Sequence, residues 1–282
     1  MGLVRIPQNR IDYFIGEDIP YLDLTSLVLG VGDSPASMEY YTREACVLAG
    51  SAVVAHMATT LGCEVVHADA DGARLTPGQV FMTVQGTAAA LHQLWKVGLN
   101  TFDHLSAVAT KTRAMVDAVH AVNAHCEVLT TRKSLPGAKD LFTEAIIAGG
   151  AFPHRLGLSE TVLVFEQHLA FMGGLDGFLA QLPEIRSRCC EKKIFVESTP
   201  KQATALAEAG VDGIQLDKAT PEVLERLAPK LRAINPRITL IAAGGVNPEN
   251  AAAYAATGVD GLATTAPFTA KPIDMSVRMM PA

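Results

Sequence analysis

The chain has 282 residues, 49% hydrophobic and 18% charged, with a formal net charge of −6 and a pI near 5.7. This composition can build a sizeable core in one large or two ordinary domains and excludes a disordered chain. The acidic balance argues against general nucleic-acid binding but leaves room for a local basic pocket holding an acidic small molecule. Cys46, Cys63, Cys126, Cys189 and Cys190 form no C-x-x-C pair and are odd in number. Neither a disulfide framework nor a zinc site is expected, and a reducing cytoplasm is the expected location. The opening MGLVRIPQNR has no signal-peptide core, Ile6 breaks a myristoylation pattern, and no apolar run is long enough to span a bilayer. Membrane and nucleic acid are therefore not expected partners.

Residues 1–110 read as an α+β layer domain, broken early by Pro20, Gly30, Gly32 and Pro35. Strands are expected over 38–49 and 64–68, with a helix over 52–61 that Gly62 ends. Residues 73–85 read as a hairpin turning at Pro77-Gly78, its second arm presenting Val80, Met82 and Val84. Two helices follow, over 87–105 and 111–123.

From about residue 126 short apolar strands alternate with helices. The strands are expected over 127–131, 161–165, 193–197, 213–217, 238–243 and 261–264. The helices are expected over 138–148, within 169–190, and over 201–209, 221–234 and 248–257. This alternation predicts parallel βα units, whose chemistry would lie at the strands' carboxyl ends. An open doubly wound sheet competes, but no G-x-G-x-x-G opens the first helix. In the helix over 138–148, Leu141, Phe142, Ala145 and Ile146 fall on one face, with Lys139, Asp140 and Glu144 off it. Gly149-Gly150 stops it.

The strand ends carry the chemistry. The first strand runs into Arg132-Lys133, and His154-Arg155 follows one helix later, so four possible cations bracket one strand-loop-helix unit. A cation cluster of this kind suits carboxylates or phosphates. The second strand ends on Phe165, Glu166, Gln167 and His168, the third on Glu197 and the fourth on Asp217. Two carboxylates on neighbouring strand ends suit a hard cation or a developing carbocation. The fifth strand ends on Gly244-Gly245 before Asn247-Pro248-Glu249, which reads as a tight turn and helix start able to meet a phosphate. The sixth ends on Thr264-Thr265.

The segments TRKSLPGAKDL, GGAFPHRLGL and the strand leading to His168 resemble quinolinate phosphoribosyltransferase, also called nicotinate-nucleotide pyrophosphorylase. Within that family they are most similar to the ModD branch, pyrophosphorylase-like proteins associated with molybdenum transport genes. EDIPYLDLTS, VGLNTFDHLSAVATKT and IAAGGVNPENAAAYAATGVDGLA extend the resemblance over almost the whole chain.

The resemblance implies an α/β fold: an amino-terminal α/β sandwich domain (1–110, joined by the tail 270–282) and an open, incomplete α/β barrel (111–269). It implies a homodimer, or a higher homo-oligomer, in which one subunit's first domain covers its partner's barrel mouth. It implies transfer of phosphoribosyl from PRPP to an acidic, quinolinate-like heteroaromatic base, with release of pyrophosphate and, in the family, carbon dioxide, and a requirement for Mg²⁺. Carried over by residue, Arg132, His154 and Arg155 would hold the base, and Lys133 would sit between base and PRPP. Glu197 and Asp217 would face ribose and metal, and Gly244 and Gly245 would bind phosphate, with Thr264 and Thr265 in the last loop.

The chain departs from the family at Trp95-Lys96, where Glu-Arg is usual. It departs again at Phe165-Glu166-Gln167-His168, where Lys-Asp-Asn-His is usual, at Leu216-Asp217-Lys218, and at Thr265, where a phosphate-binding glycine is usual. Lys96 keeps a charge but loses the guanidinium fork, and Phe165 removes a cation from the base pocket. Two other readings stand beside the enzyme: a non-catalytic anion- or nucleotide-binding relative linked to molybdenum transport, and an unrelated barrel enzyme with Lys133 as a Schiff-base lysine beside Arg132.

Overall fold

A computed structural model describes residues 4–282; the amino-terminal Met1–Leu3, on which the signal and myristoylation expectations partly bear, lies outside the described residues. Two compact units are present. The first takes the chain up to Arg113 with Ser134–Gly150 and Pro267–Ala282, and the second takes Ala114–Lys133 with Ala151–Ala266. The segment 134–150, read from sequence as part of the barrel, thus groups with the first unit.

The first unit begins with α1 (Gln8–Asp18), α2 (Leu24–Leu29), β1 (Pro35–Thr42), β2 (Cys46–Val47) and α3 (Ser51–Thr60). It continues with β3 (Glu64–Ala68), β4 (Arg74–Leu75), β5 (Val80–Thr87) and the long helix α4 (Ala88–His120), whose residues from Ala114 on belong to the second unit. The first unit's sheet places the carboxyl-terminal strand Met275–Pro281 beside β1, then β5, then β3, all antiparallel. Tyr40, Phe81 and Phe102 form the aromatic centre, with ring centroids 5.2 Å apart for Tyr40–Phe102 and 4.8 Å for Phe81–Phe102. A Cβ on Gly98 would lie 2.5 Å from the Tyr40 hydroxyl. That close approach offsets the helix-propensity cost of a glycine inside α4, about 1 kcal/mol.

Four expectations change here. The strand foreseen over 38–49 starts earlier and breaks at Arg43-Glu44, leaving β2 as a separate piece. Residues 73–85 form no hairpin, because β4 pairs with β2 while β5 pairs with β1 and β3. The two helices foreseen over 87–123 are one, of 33 residues. In α5 (Lys139–Ala148) Glu144 is buried, and its carboxylate accepts the Val4 N–H at 2.7 Å. A simple apolar stripe does not foresee a satisfied buried acid.

The second unit holds the strands β6 (Glu127–Thr130), β7 (Phe152–Pro153), β8 (Val162–Val164), β9 (Ile194–Ser198), β10 (Gly213–Asp217), β11 (Thr239–Ala243) and β12 (Gly261–Thr264). Between them run α6 (Glu166–Leu169), α7 (Gly174–Arg188), α8 (Ala203–Glu208), α9 (Pro221–Ile234) and α10 (Ala251–Ala256). The seven strands pair in parallel in the order β7-β6-β12-β11-β10-β9-β8. Its two ends, β7 and β8, do not pair with each other, so the barrel is open and incomplete. The doubly wound alternative is not what the chain adopts.

Inside the barrel Leu163, Phe195, Ile241, Ala243 and Ala263 pack together, with Leu129 and Phe165 against them. Two glycines make room. A Cβ on Gly213 would fall 2.1 Å from the Phe195 ring, and one on Gly261 would fall 2.9 Å from Leu129 Cδ1. The alternation along β9 and β10 then sends Phe195 and Glu197, and Gly213, Gln215 and Asp217, toward the same interior face.

Candidate active site

The site grows from the carboxyl ends of these strands. After β6, Thr131 extends the ladder with its N–H on the Thr264 carbonyl (2.9 Å), and its hydroxyl accepts the Lys133 N–H (3.3 Å). Arg132 and Lys133 are left exposed. The His154 N–H reaches the Thr130 carbonyl at 2.8 Å, which places the second basic pair beside the first.

His154 is disfavoured as a cation where it sits. Burial first, then the Arg155 charge, lowers its pKa below the usual imidazole value. The cluster therefore disfavours the charged form of this imidazole. Arg155 is likewise pushed down, first by burial and then by the charge of Arg132, with Glu160 opposing. A guanidinium stays protonated all the same. Two neighbouring guanidinium groups repel each other, a cost that an anion between them would offset.

Phe165 stands between this cluster and the barrel interior. Its ring packs on the interior cluster, Arg155 lies 5.9 Å from its centroid, and the His168 ring stacks on it at 5.9 Å. The Phe165 N–H donates to His168 Nδ1 at 2.9 Å, so His168 caps the start of α6. His168 thereby orients Phe165.

The carboxylates lie on the next two strands. Burial raises the pKa of Glu197; the Gln215 hydrogen bond opposes this, Asp217 adds to it, and Lys133 and Lys218 pull it back. These couplings bring Glu197, Asp217, Lys133 and Lys218 into one electrostatic neighbourhood. Lys218, passed over as a site residue in the sequence, is the one non-glycine residue with positive φ among those described, at 54°. Its Nζ lies 3.9 Å from Asp217. A lysine held in the left-handed region costs on the order of 1 kcal/mol or more and marks a constrained turn.

Gly244 and Gly245 both have positive φ, 84° and 83°. They differ in what they face. A Cβ on Gly244 would lie 2.6 Å from Asp217 Oδ1 and 2.8 Å from Lys218, whereas nothing lies within 4 Å of one on Gly245. Gly244 therefore lets the two strand ends approach, and Gly245 faces open space. The helix expected from Pro248 starts at Ala251, because Asn247 Oδ1 accepts the N–H groups of Glu249 and Asn250 (both 3.1 Å) and holds a turn first. With only six residues, α10 supplies no helix-end anion site. Thr264 is buried, and its hydroxyl donates to the Val246 carbonyl (2.7 Å) and accepts the Ala266 N–H (3.0 Å). That hydroxyl ties two loops together, while Thr265 remains half-buried beyond it.

Lys96 belongs to the first unit, exposed on α4, with its Nζ 4.9 Å from the Trp95 ring centroid. Near it Asp103 has its pKa raised to about 6, chiefly by burial, with the Met275 N–H and Lys96 opposing and Asp274 adding. Because the folded value exceeds the ordinary carboxylate value, the folded chain binds more protons than the unfolded one between about pH 4 and 6. The Asp103 contribution to stability thus falls as pH rises through that window. The melting-temperature difference between Asp103→Asn and wild type is expected to shift in favour of the variant from pH 4 to pH 7. A difference that does not change with pH would exclude this role.

Gln215 carries a second signal that sequence reading missed. It is buried on β10, and its Nε2 donates to Glu197 Oε2 at 2.6 Å. A polar residue in the middle of an otherwise apolar run, IQL, was its visible trace.

Residues 23–106 match the family described as quinolinate phosphoribosyl transferase, N-terminal domain, and residues 108–278 match its C-terminal domain. The chain is 34% identical over 281 residues to a protein of Escherichia coli O6:H1 named as the pyrophosphorylase ModD, covering 99% of each. It is 36% identical over 260 residues to the carboxylating nicotinate-nucleotide pyrophosphorylase of Mycobacterium leprae, covering 89% of this chain and 88% of that one. The crystal structure of NadC from Streptococcus pyogenes superimposes with a TM-score of 0.88 at 25% identity, over 98% of this chain and 96% of that one. The chain belongs to the quinolinate phosphoribosyltransferase family, the nicotinate-nucleotide pyrophosphorylases, which are pentosyltransferases.

Proposed function

We propose that this chain transfers phosphoribosyl from PRPP to a ring nitrogen of an acidic heteroaromatic base and releases pyrophosphate. The observation that carries the reading is the pairing, in one barrel mouth, of a cation cluster at Arg132, Lys133 and Arg155 with two carboxylates at Glu197 and Asp217. A mere anion binder gains nothing from carboxylates. In the reaction the C1–oxygen bond of PRPP breaks with its electron pair leaving on pyrophosphate, and the ring nitrogen's lone pair forms the new C1–nitrogen bond.

Glu197 and Asp217 stabilise the positive charge that grows on the ribose carbon. Arg132 and Arg155 grip the base carboxylate, with His154 as a hydrogen-bonding neighbour, and so aim the nitrogen. Lys133 spans base and diphosphate. Gly245 and Thr265 face the phosphate, and Gly244 and Thr264 shape the loops that carry them.

Among the described residues no group of three or more His, Cys, Asp or Glu forms a metal cage. Glu197 and Asp217 nonetheless fit Mg²⁺, which takes one or two carboxylates and completes its shell with substrate phosphates and water. When bound, the ion would neutralise charge on the departing diphosphate.

The same reading includes a homodimer with Lys96 working in the partner's site. In the first unit, α2 leaves Leu24, Leu27, Val28 and Leu29 each 64–74% exposed, an apolar run that a monomer rarely shows. Sedimentation is expected to give a dimer, and Lys96→Ala to weaken base binding without changing that state. An active monomer at micromolar concentration would exclude the dimer. No helix among the described residues is long and apolar enough to cross a membrane, and a cytoplasmic location is part of the proposal.

The test is pyrophosphate release from PRPP and Mg²⁺ with a panel of pyridine and other heterocyclic carboxylates. Release with at least one base is expected. No release with any of them would overturn the reading in favour of a non-catalytic binder.

A further inference from the structure

The barrel interior contains a polar pair for which packing alone gives no reason. Gln215 is only 7% exposed, yet its in-register neighbour on β11 is the apolar Ile241, and that on β9 is Glu197. A carboxamide has two donor hydrogens and an acceptor oxygen, and one buried without partners is costly. Among the described residues, the one side-chain hydrogen bond of Gln215 runs from Nε2 to Glu197 Oε2, at 2.6 Å. Among the described residues, the buried polar side-chain atoms sealed from solvent without a partner are Ser51 Oγ, Asp103 Oδ1 and Ser198 Oγ. The unused Gln215 oxygen is not among them, so it is not sealed from solvent. Gln215 is thus a buried polar residue tied by its side chain to the in-register carboxylate Glu197.

The choice of an amide also has a chemical consequence. A lysine or arginine in this place would fix Glu197 but neutralise it. The neutral donor fixes one carboxylate oxygen and leaves the negative charge available to the ribose carbon.

We propose that Gln215 is a positioning residue for the phosphoribosyl-transfer step, holding Glu197 in the orientation that faces the developing positive charge. The proposal rests on the phosphoribosyltransferase reading above. A donor to a charged group contributes enough that its loss lowers turnover by roughly 10–100-fold.

The experiment is a double-mutant cycle on pyrophosphate release, using the base the wild type accepts. Gln215→Met keeps length and volume; Gln215→Leu serves if the Met variant folds poorly, with melting temperature as the check. Either is expected to lower kcat by the stated factor and to leave KM for PRPP and base within about threefold, because the effect passes through Glu197 in the transition state. In a Glu197→Ala background the same change is expected to do almost nothing further. Unchanged kcat in the single variant, or losses that multiply in the double variant, would overturn the proposal. A wild type that releases no pyrophosphate with any base would instead overturn the functional reading.

Discussion

Replacing Glu197 or Asp217 by alanine is expected to lower turnover by a factor on the order of 10² or more, with the fold retained. Both acids end neighbouring parallel strands, and Glu197 feels Asp217 as well as the cations Lys133 and Lys218. Their preorganisation is structural: Gln215 holds Glu197, and the missing Cβ of Gly244 lets the next strand end close on Asp217. Neither carboxylate is a keystone of the core, since both are only partly buried. A drop in kcat should therefore come without a large fall in melting temperature. Activity within a few-fold of wild type for both variants would remove the carboxylates from the chemistry.

The second large effect concerns which base is used. The family resemblance places a lysine where this chain has Phe165, and a buried carboxylate deprived of one hydrogen-bonded cation loses roughly 2–5 kcal/mol. That is a loss in affinity of about 30-fold to several thousand-fold. Lys96 offsets little, because it replaces an existing cation. Phe165 also occupies its space firmly, packed on the barrel interior and flanked by Arg155 and the His168 ring. Weak use of quinolinate is expected, with preference for a less acidic or bulkier aromatic base. Phe165→Lys is expected to improve quinolinate use by about tenfold or more. It should also lower stability, since it trades a packed ring for a cation beside Arg155. Efficient quinolinate turnover by wild type, unchanged in Phe165→Lys, would contradict this account.

The parallel strands were legible because buried strands read as short apolar runs between turn residues; β10 and β12 fall on the residues expected. The antiparallel sheet was harder. Pro77-Gly78 looks like a hairpin turn, yet β4 finds its partner in β2, a pairing over nearly thirty residues that no local pattern announces. The break expected between residues 105 and 111 does not exist: Ser106 and Thr110 lower helix propensity there, but their hydroxyls accept the Ala49 and Val47 N–H groups, and these contacts are compatible with an unbroken α4.

At the site, charged residues at strand ends could be read directly, whereas their protonation could not. His154 reads as a possible cation in the sequence, whereas burial and the Arg155 charge lower its pKa in the fold. Gln215 and Lys218 were missed for a related reason. The value of Gln215 lies in a register that sets it beside Glu197, and that of Lys218 in a backbone angle.

The central claim is that a C1–nitrogen bond forms in this barrel mouth. The most direct measurement is mass spectrometry of the products from PRPP labelled with ¹³C at the ribose C1, incubated with Mg²⁺, the wild-type protein and the base that supports pyrophosphate release. A labelled nucleotide is expected, with the mass of the base, or of the decarboxylated base, plus phosphoribosyl. Label recovered only as PRPP or free ribose 5-phosphate, with every base tried, would contradict that claim.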